Sequence, residues 1–292
     1  MDARTDWRKA TASHMYGHVL RPEELVTRAR YGFAEPAPEL RRWVERYWSV
    51  RWSLAEDEVF PVSTLDDPAI NLTVERGDVS RAGTDGAGVW ITGPVTRGRF
   101  DVVLRGEGSV LGIKFQLGGA AAFLPRNASP VDLVGIRDAT IPAADWFGAD
   151  LPDPAPDAAD AERDAPALDA WLRSRGPEDP PGFSELHRVL ALLEDPEVTG
   201  PAVLESRSGL SIRSLQRLFA RQLGIGPKRM ILRARVMDAV EAIDLGEAGD
   251  LTGLAHRLGW FDQSHLIRDF RALTGLTPSR YARRPRGTTL GP

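Results

Sequence analysis

Arg213, Gln216 and Arg217 lie at positions i, i+3 and i+4 of a segment whose opposite side is apolar, with Ser214 between them. Fifty residues further on, Gln263, Ser264, Ile267 and Arg268 repeat the arrangement. Guanidinium and carboxamide groups match the paired acceptors of guanine O6/N7 and the acceptor–donor pair of adenine N7/N6 in the major groove. The alternative for either set is an ordinary solvated helix face. Other chemistry is thin. His14 and His18 have an i, i+4 metal-ligand spacing but no third ligand nearby. No histidine lies between Val19 and Leu186, so a histidine-held metal is excluded there. The acidic pairs Glu56/Glu58 and Asp66/Asp67 sit in turn-like segments and read as solvated carboxylates. Gly83 to Gly88 lacks the lysine and following helix of a phosphate loop. The chain has no cysteine, which removes disulfides, thiolate metal sites and thiol nucleophiles and fits a cytoplasmic protein. No catalytic residue, metal or cofactor is assigned.

The elements that must carry the two Arg/Gln sets are short helices. Ala202 to Ser208, a turn at Gly209-Leu210, an N-cap at Ser211 and a helix from Ile212 to Leu223 ending at Gly224 form one unit. Leu215, Leu218, Phe219 and Gln222/Leu223 share its inner side. Leu251 to Leu258, a turn at Gly259-Trp260-Phe261, an N-cap at Asp262 and a helix from Gln263 to Leu273 form the second. A short helix, a glycine turn and a second helix is the order of a helix-turn-helix. Lys228 to Ile243 joins the units as a longer amphipathic helix. About seven helices are expected between Phe183 and Tyr281. No apolar run reaches the roughly 18 residues of a membrane span, and no secretory signal is seen at the N-terminus.

Upstream the apolar period changes from helical to two. Trp48, Val50 and Trp52 share one face, as do Ile70, Leu72 and Val74, then Phe100, Val102 and Leu104, then Leu111, Ile113 and Phe115. Turn-like residues separate these runs, Arg105-Gly106-Glu107-Gly108 among them. A short helix follows near Gly118 to Leu124. Residues 1–149 are therefore expected to form a mainly β regulatory domain, a small cupin-like barrel or sandwich. Residues 150–182, rich in Pro, Asp and Ala, read as a linker with a short helix at Ala167 to Ser174. Residues 183–284 read as an all-α domain with two helix-turn-helix units joined by a long helix, and 285–292 as a tail. Charge follows the division. Phe183 to Pro292 carries 16 basic and 12 acidic residues, and the rest of the chain 21 and 29. Only the C-terminal part suits a polyanion. Trp48, Trp52 and Trp90 could line a small-molecule pocket, although core packing is the simpler role for indoles.

The run from Leu254 through Gly259, Asp262-Gln-Ser264, Phe270 and Gly275 to Pro278 and Tyr281 resembles the signature of AraC/XylS-type transcription regulators. Ser211 to Phe219, followed by Gly224-Ile-Gly-Pro227, is similar to that family's first helix-turn-helix. The resemblance implies base contacts by Arg213, Gln216, Arg217, Gln263, Ser264, Ile267 and Arg268. It implies double-stranded promoter DNA as partner, read in two successive major grooves. More weakly, the N-terminal half resembles the sensor region of one branch of these regulators, which implies a cupin-like effector or regulatory domain and leaves both a small-molecule effector and a homodimer open. The chain departs from the pattern at Glu205, where a small residue is common, and at Trp260, where Phe is usual. Two rival expectations remain. One is a protein-interaction module with a degenerate DNA-binding fold. The other is an enzyme-like N-terminal domain tethered to DNA, for which alkyl-transfer repair would need a cysteine that the chain lacks.

Overall fold

The structure, a computed structural model, describes residues 19–20, 22–65, 67–84, 86–123, 135–152, 159–195 and 197–283. His14 and His18, Asp66 and the tail from 285 lie outside them.

The N-terminal half is built on one bent sheet. After a helix α1 (Pro22–Arg28) come β1 (Ala29–Ala34), β2 (Val44–Ser53), β3 (Val59–Thr64), β4 (Asn71–Ser80), β5 (Gly88–Thr92), β6 (Phe100–Phe115) and β7 (Thr140–Pro142). The spatial order is β1-β2-β6-β4-β5-β7, with β3 also on β6, and every pairing is antiparallel. β6 explains the shape. Its first part pairs with β3, from Phe100 opposite Thr64 to Arg105 opposite Val59. Its second part pairs with β2, from Glu107 opposite Ser53 to Phe115 opposite Val44. β4 follows β6 along the other edge, with a register shift between Gly77 and Asp78. The turn expected at Arg105 to Gly108 is thus a bend inside one strand. Pairing survives because Gly77 and Gly108 let the two backbones approach where a Cβ on either would collide.

Alternation sorts the side chains. On one side Leu72, Val74, Leu111, Ile113, Phe115 and Tyr47 form a core with two helices, α2 (Ala144–Phe147) and α3 (Ala161–Ser174), and with a 3₁₀ turn at Gly119–Phe123. On the other, Trp52, Phe60, Val62, Leu104 and Val110 form a second cluster. The segment expected to be a linker with a short helix therefore holds a 14-residue helix docked on the sheet. Asp160 caps its N-terminus, accepting from Arg163 N, and Leu168, Trp171 and Leu172 are buried. Composition concealed this helix because its alanine, proline and acidic residues lie among the three large side chains that hold it. Tyr47 Oη donates to Asp169 Oδ1 at 2.6 Å and pins it to β2. Burial, followed by the bond to Asp169, raises the Tyr47 phenol far above its ordinary range.

The C-terminal half consists of α4 (Phe183–Leu192), α5 (Pro201–Ser208), α6 (Ile212–Leu223), α7 (Pro227–Asp244), α8 (Leu251–Arg257), α9 (Gln263–Thr274) and α10 (Pro278–Ala282). Two cores form. The first gathers Leu186, Val189, Leu204, Leu215, Phe219 and Leu223. The second gathers Leu254, Ala255, Trp260, Leu266, Phe270 and Tyr281. α7 belongs to both, giving Met230 and Ile231 to the first and Val236, Ala239, Val240 and Ile243 to the second. One continuous helix, about 27 Å long at 1.5 Å per residue, is therefore the strut between them.

Candidate nucleic-acid interface and internal cavity

α6 and α9 are built alike. Ser211 caps α6, accepting from Ser214 N at 3.2 Å, and Asp262 caps α9, accepting from His265 N at 2.8 Å. The backbone bond from His265 leads the effects that hold the Asp262 carboxyl below its usual range. Gly224 and Gly275 end the two helices with positive φ. Gly259, between α8 and α9, is needed on two counts: its φ is +81°, and a Cβ there would press on the Thr199 side chain.

Behind each helix the apolar residues are closed off. Leu215 and Phe219 on α6, and Leu266 and Phe270 on α9, have no exposed surface. In front, Arg213, Gln216, Arg217, Ser264 and Arg268 are exposed, while Ser214, Gln263 and Ile267 are half-buried. Two of these have local roles as well. Ser214 Oγ accepts from Ser211 Oγ at 3.0 Å, and Gln263 Oε1 accepts from Thr252 Oγ1 of α8 at 3.1 Å. The exposed sides of α6 and α9 thus carry guanidinium, amide and hydroxyl groups at the amino-terminal turns, where backbone N–H groups also favour an anion.

The departures from the family pattern have structural consequences. Glu205 lies on α5. Its Oε1 accepts from Ile212 N at 2.8 Å, supplying a second cap for α6 from the neighbouring helix. Trp260 Nε1 donates to Asp269 Oδ2 at 2.9 Å, and the Arg235 guanidinium lies over the indole ring, 4.1 Å from its centroid. Phe261, in the turn before α9, is 84% exposed.

The β half holds both helices by their far ends. Arg137 Nη1 donates to Gly224 O at 3.1 Å, at the end of α6. Arg99 Nη1 donates to Thr274 O at 2.7 Å, at the end of α9. Arg233 of α7 returns a bond to Gly98 O at 3.0 Å. Asp138 ties the two anchors together, accepting from Thr96 N at 2.5 Å, Thr96 Oγ1 at 2.7 Å and Arg97 N at 3.1 Å. Burial works against its charge, but these bonds from Thr96 and Arg97 prevail and lower its pKa. No sequence pattern signalled Arg99, Arg137 or Asp138.

The side of the sheet that carries Trp52 and Val110 borders a cavity of about 160 Å³. Trp48, Val50 and Trp52 line it, with Val102, Leu104 and Val110 among its walls. Trp48 and Trp52 stand opposite Gly112 and Gly108 of β6, and their rings lie over those glycines where any Cβ would collide. Trp90 is placed elsewhere. Its ring lies over Gly88 at the end of β5, with Nε1 donating to Gly86 O at 3.2 Å, so the three tryptophans are not brought together. The cavity also has polar residues that sequence reasoning passed over: Asn71, Thr73, Glu75, Arg81 and Lys114. Lys114 Nζ meets Glu45 Oε2 at 2.9 Å. Arg233, from the helical half, completes the lining.

A helix-turn-helix domain family matches residues 204–284, and a domain family of unknown function matches residues 33–132. The HTH-type transcriptional activator RhaS of Escherichia coli O139:H28 is 40% identical over 91 residues, covering 30% of this chain and 32% of that protein. RhaS of Escherichia coli O9:H4 is 38% identical over the same span and coverage. The matched segment spans about a third of the length of these relatives. Among solved structures, ToxT from Vibrio cholerae O395 aligns over 88% of this chain and 97% of its own at 9% identity and a TM-score of 0.42. The AraC-like transcriptional activator CuxR aligns over 74% and 88% at 14% identity and a TM-score of 0.23.

Proposed function

We propose that this chain, whose residues 204–284 belong to the helix-turn-helix domain family, is a sequence-specific DNA-binding transcription regulator of the AraC/XylS type. One observation carries the proposal. α6 and α9 both bury leucine and phenylalanine behind them and keep arginine in solvent in front. Arg213, Gln216 and Arg217 would read one major groove, and Gln263, Ser264, Ile267 and Arg268 the next, with Ser214 on the phosphate side. The strut α7 suits this task because it fixes the separation of the two units through shared cores. The partner is double-stranded promoter DNA in the cytoplasm, and a homodimer would double the number of reading helices. The β half would modulate DNA affinity through a small molecule in the cavity. No described helix is long and apolar enough to cross a membrane.

The test is a gel-shift titration on DNA fragments selected by the full-length protein. Arg213→Ala and Arg268→Ala should each cost about 1–3 kcal/mol of binding and relax preference at one or two bases, with unchanged thermal unfolding. Affinity should also fall steeply with salt, close to one power per phosphate contact. Wild-type affinity and preference in both variants would refute the assignment, and salt-independent association would favour a protein-interaction module.

A further inference from the structure

Five large apolar residues are exposed among the described residues: Phe33 on β1, Val59 on β3, Ile212, Leu245 and Phe261. Two of the five stand at the entries of the candidate reading helices. Ile212 is the first residue of α6, and Phe261 directly precedes Asp262, the N-cap of α9. Phe261, at 84%, is the most exposed of all. A residue in its position commonly folds back onto the fourth residue of the helix as an apolar staple. Here that residue is Leu266, which is closed off in the core while the Phe261 ring stays in solvent. Trp260 takes the inward place instead, buried, bonded to Asp269 and covered by Arg235. The Phe261 ring therefore adds little to the core. It meets the His265 ring edge-on, with 6.2 Å between centroids. His265 Nδ1 in turn lies 2.9 Å from Asp262 Oδ1. These contacts set the ring beside the amino-terminal turn of α9, the part of a recognition helix that approaches base edges.

A lone exposed ring is ordinary on a protein surface, but at this place it has a defined apolar counterpart. In the major groove the base edges present donors, acceptors and one apolar group, the thymine C5-methyl. Cytosine presents an amino donor, which a phenyl ring does not satisfy. Contact between ring and methyl removes apolar area from water on both sides. Gln263, Ser264 and Arg268 offer hydrogen bonds, and these do not detect a methyl group. Ile267, further along α9 and half-buried, is the other apolar side chain on its outer side. We propose that Phe261 is a specificity-determining residue that selects a thymine by contact with its C5-methyl. The proposal rests on the reading of α9 as a DNA-recognition helix and adds an apolar contact from the turn before it.

The test is a gel-shift titration of the full-length protein on its selected DNA. Each thymine in the half-site whose preference Arg268→Ala relaxes is replaced in turn by deoxyuridine, which removes the methyl alone. Wild type should lose roughly 4-fold in affinity at one position, as burial of one methyl-sized group gives. Phe261→Ala should bind the thymine and uracil duplexes equally, with its affinity for the thymine duplex lowered by a similar factor. Ile267→Ala and Phe33→Ala should keep the wild-type ratio of thymine to uracil affinity. Phe261→Ala should unfold thermally like wild type, since its ring is in solvent. Should it not fold, the deoxyuridine scan of wild type and Ile267→Ala decides: a sensitive position that persists in Ile267→Ala supports Phe261. No uracil-sensitive position, a ratio abolished by Ile267→Ala or by Phe33→Ala, or wild-type affinity of Phe261→Ala for the thymine duplex would each overturn the proposal. The last outcome would give the ring to a protein partner. A base preference relaxed by Arg268→Ala without any uracil effect would leave the regulator reading standing, whereas no base preference dependent on Arg268 would overturn both.

Discussion

Arg137 reaches across from the β half to the last turn of α6, donating to Gly224 O at 3.1 Å. With Arg99 on Thr274 O, it places cations from one half of the molecule at the carbonyl ends of both candidate reading helices. A helix C-terminus presents carbonyls without intrahelical partners and the negative end of the helix dipole, so both contacts are favourable on two counts.

Removing either arginine should loosen that end locally. Arg137→Ala and Arg99→Ala should each cost about 1.5 kcal/mol, the lower end of the range for bonds to charged groups because both side chains are partly solvated. Denaturant unfolding of the full chain measures the loss. Hydrogen exchange should quicken at residues 220–225 in the first variant and 271–276 in the second, while the amino-terminal turns stay protected.

Asp138 should make the pair of anchors acid-sensitive. Its folded pKa is lowered, so its contribution is present above the unfolded value of about 3.9 and is lost as pH falls through the folded pKa. Wild-type stability should therefore drop more steeply below pH 4 than that of Asp138→Asn. Asparagine also tolerates the positive φ of 56° at this position. Parallel urea titrations at pH 3, 4 and 6 would check this, and parallel slopes would count against it.

His187 should add a second dependence nearer neutrality. Burial lowers its pKa first. The Leu117 carbonyl, 3.0 Å from Nε2, opposes the shift, the Arg42 charge reinforces it and Asp179 opposes it. A histidine harder to protonate when folded contributes stability fully above the unfolded pKa of about 6.5, and loses it as pH falls through the folded value. Thermal melts from pH 7.5 to 5 should show a shallower decline in His187→Gln than in wild type.

Glu205→Ala should destabilise the first unit by about 1 kcal/mol, as loss of an N-terminal cap does, because Ile212 N then lacks its side-chain acceptor. Circular dichroism with urea unfolding gives the magnitude. The sequence pattern would predict the reverse, since alanine is the kind of residue usual at this position.

Gly112→Ala should be costly in the sheet, about 1–3 kcal/mol as for an overpacked core. The new Cβ meets the Trp48 ring and must tip it toward the cavity. A shift in tryptophan emission together with a lowered melting temperature would report this.

The helical half was legible because its signals are local. Ser211, Gly224, Asp262 and Gly275 marked the ends of α6 and α9, and the leucine–phenylalanine stripes marked their inner sides. The β half was legible only in part. Trp48, Val50 and Trp52 do share a face, yet β6 was divided at Gly106, since a glycine that bends a paired strand looks in sequence like one that ends it. β1 and β7 carried too little alternation to be read. The sequence marks only the second part of the docked helix α3, Ala167 to Ser174, as a short helix in a linker.

The sequence alone determined that α6 and α9 form, where they stop and which sides carry arginine, because caps, glycine turns and the 3.6-residue period act over fewer than about ten residues. Only the tertiary structure decided what meets across the halves: Arg99 with Thr274, Arg137 with Gly224, and Arg233 with Gly98 beside a cavity that Arg233 helps to line. Those contacts depend on how a bent sheet turns its polar residues inward and on which loop reaches which helix end. Such choices are made by the packing of distant segments, and leave no periodic trace in the chain.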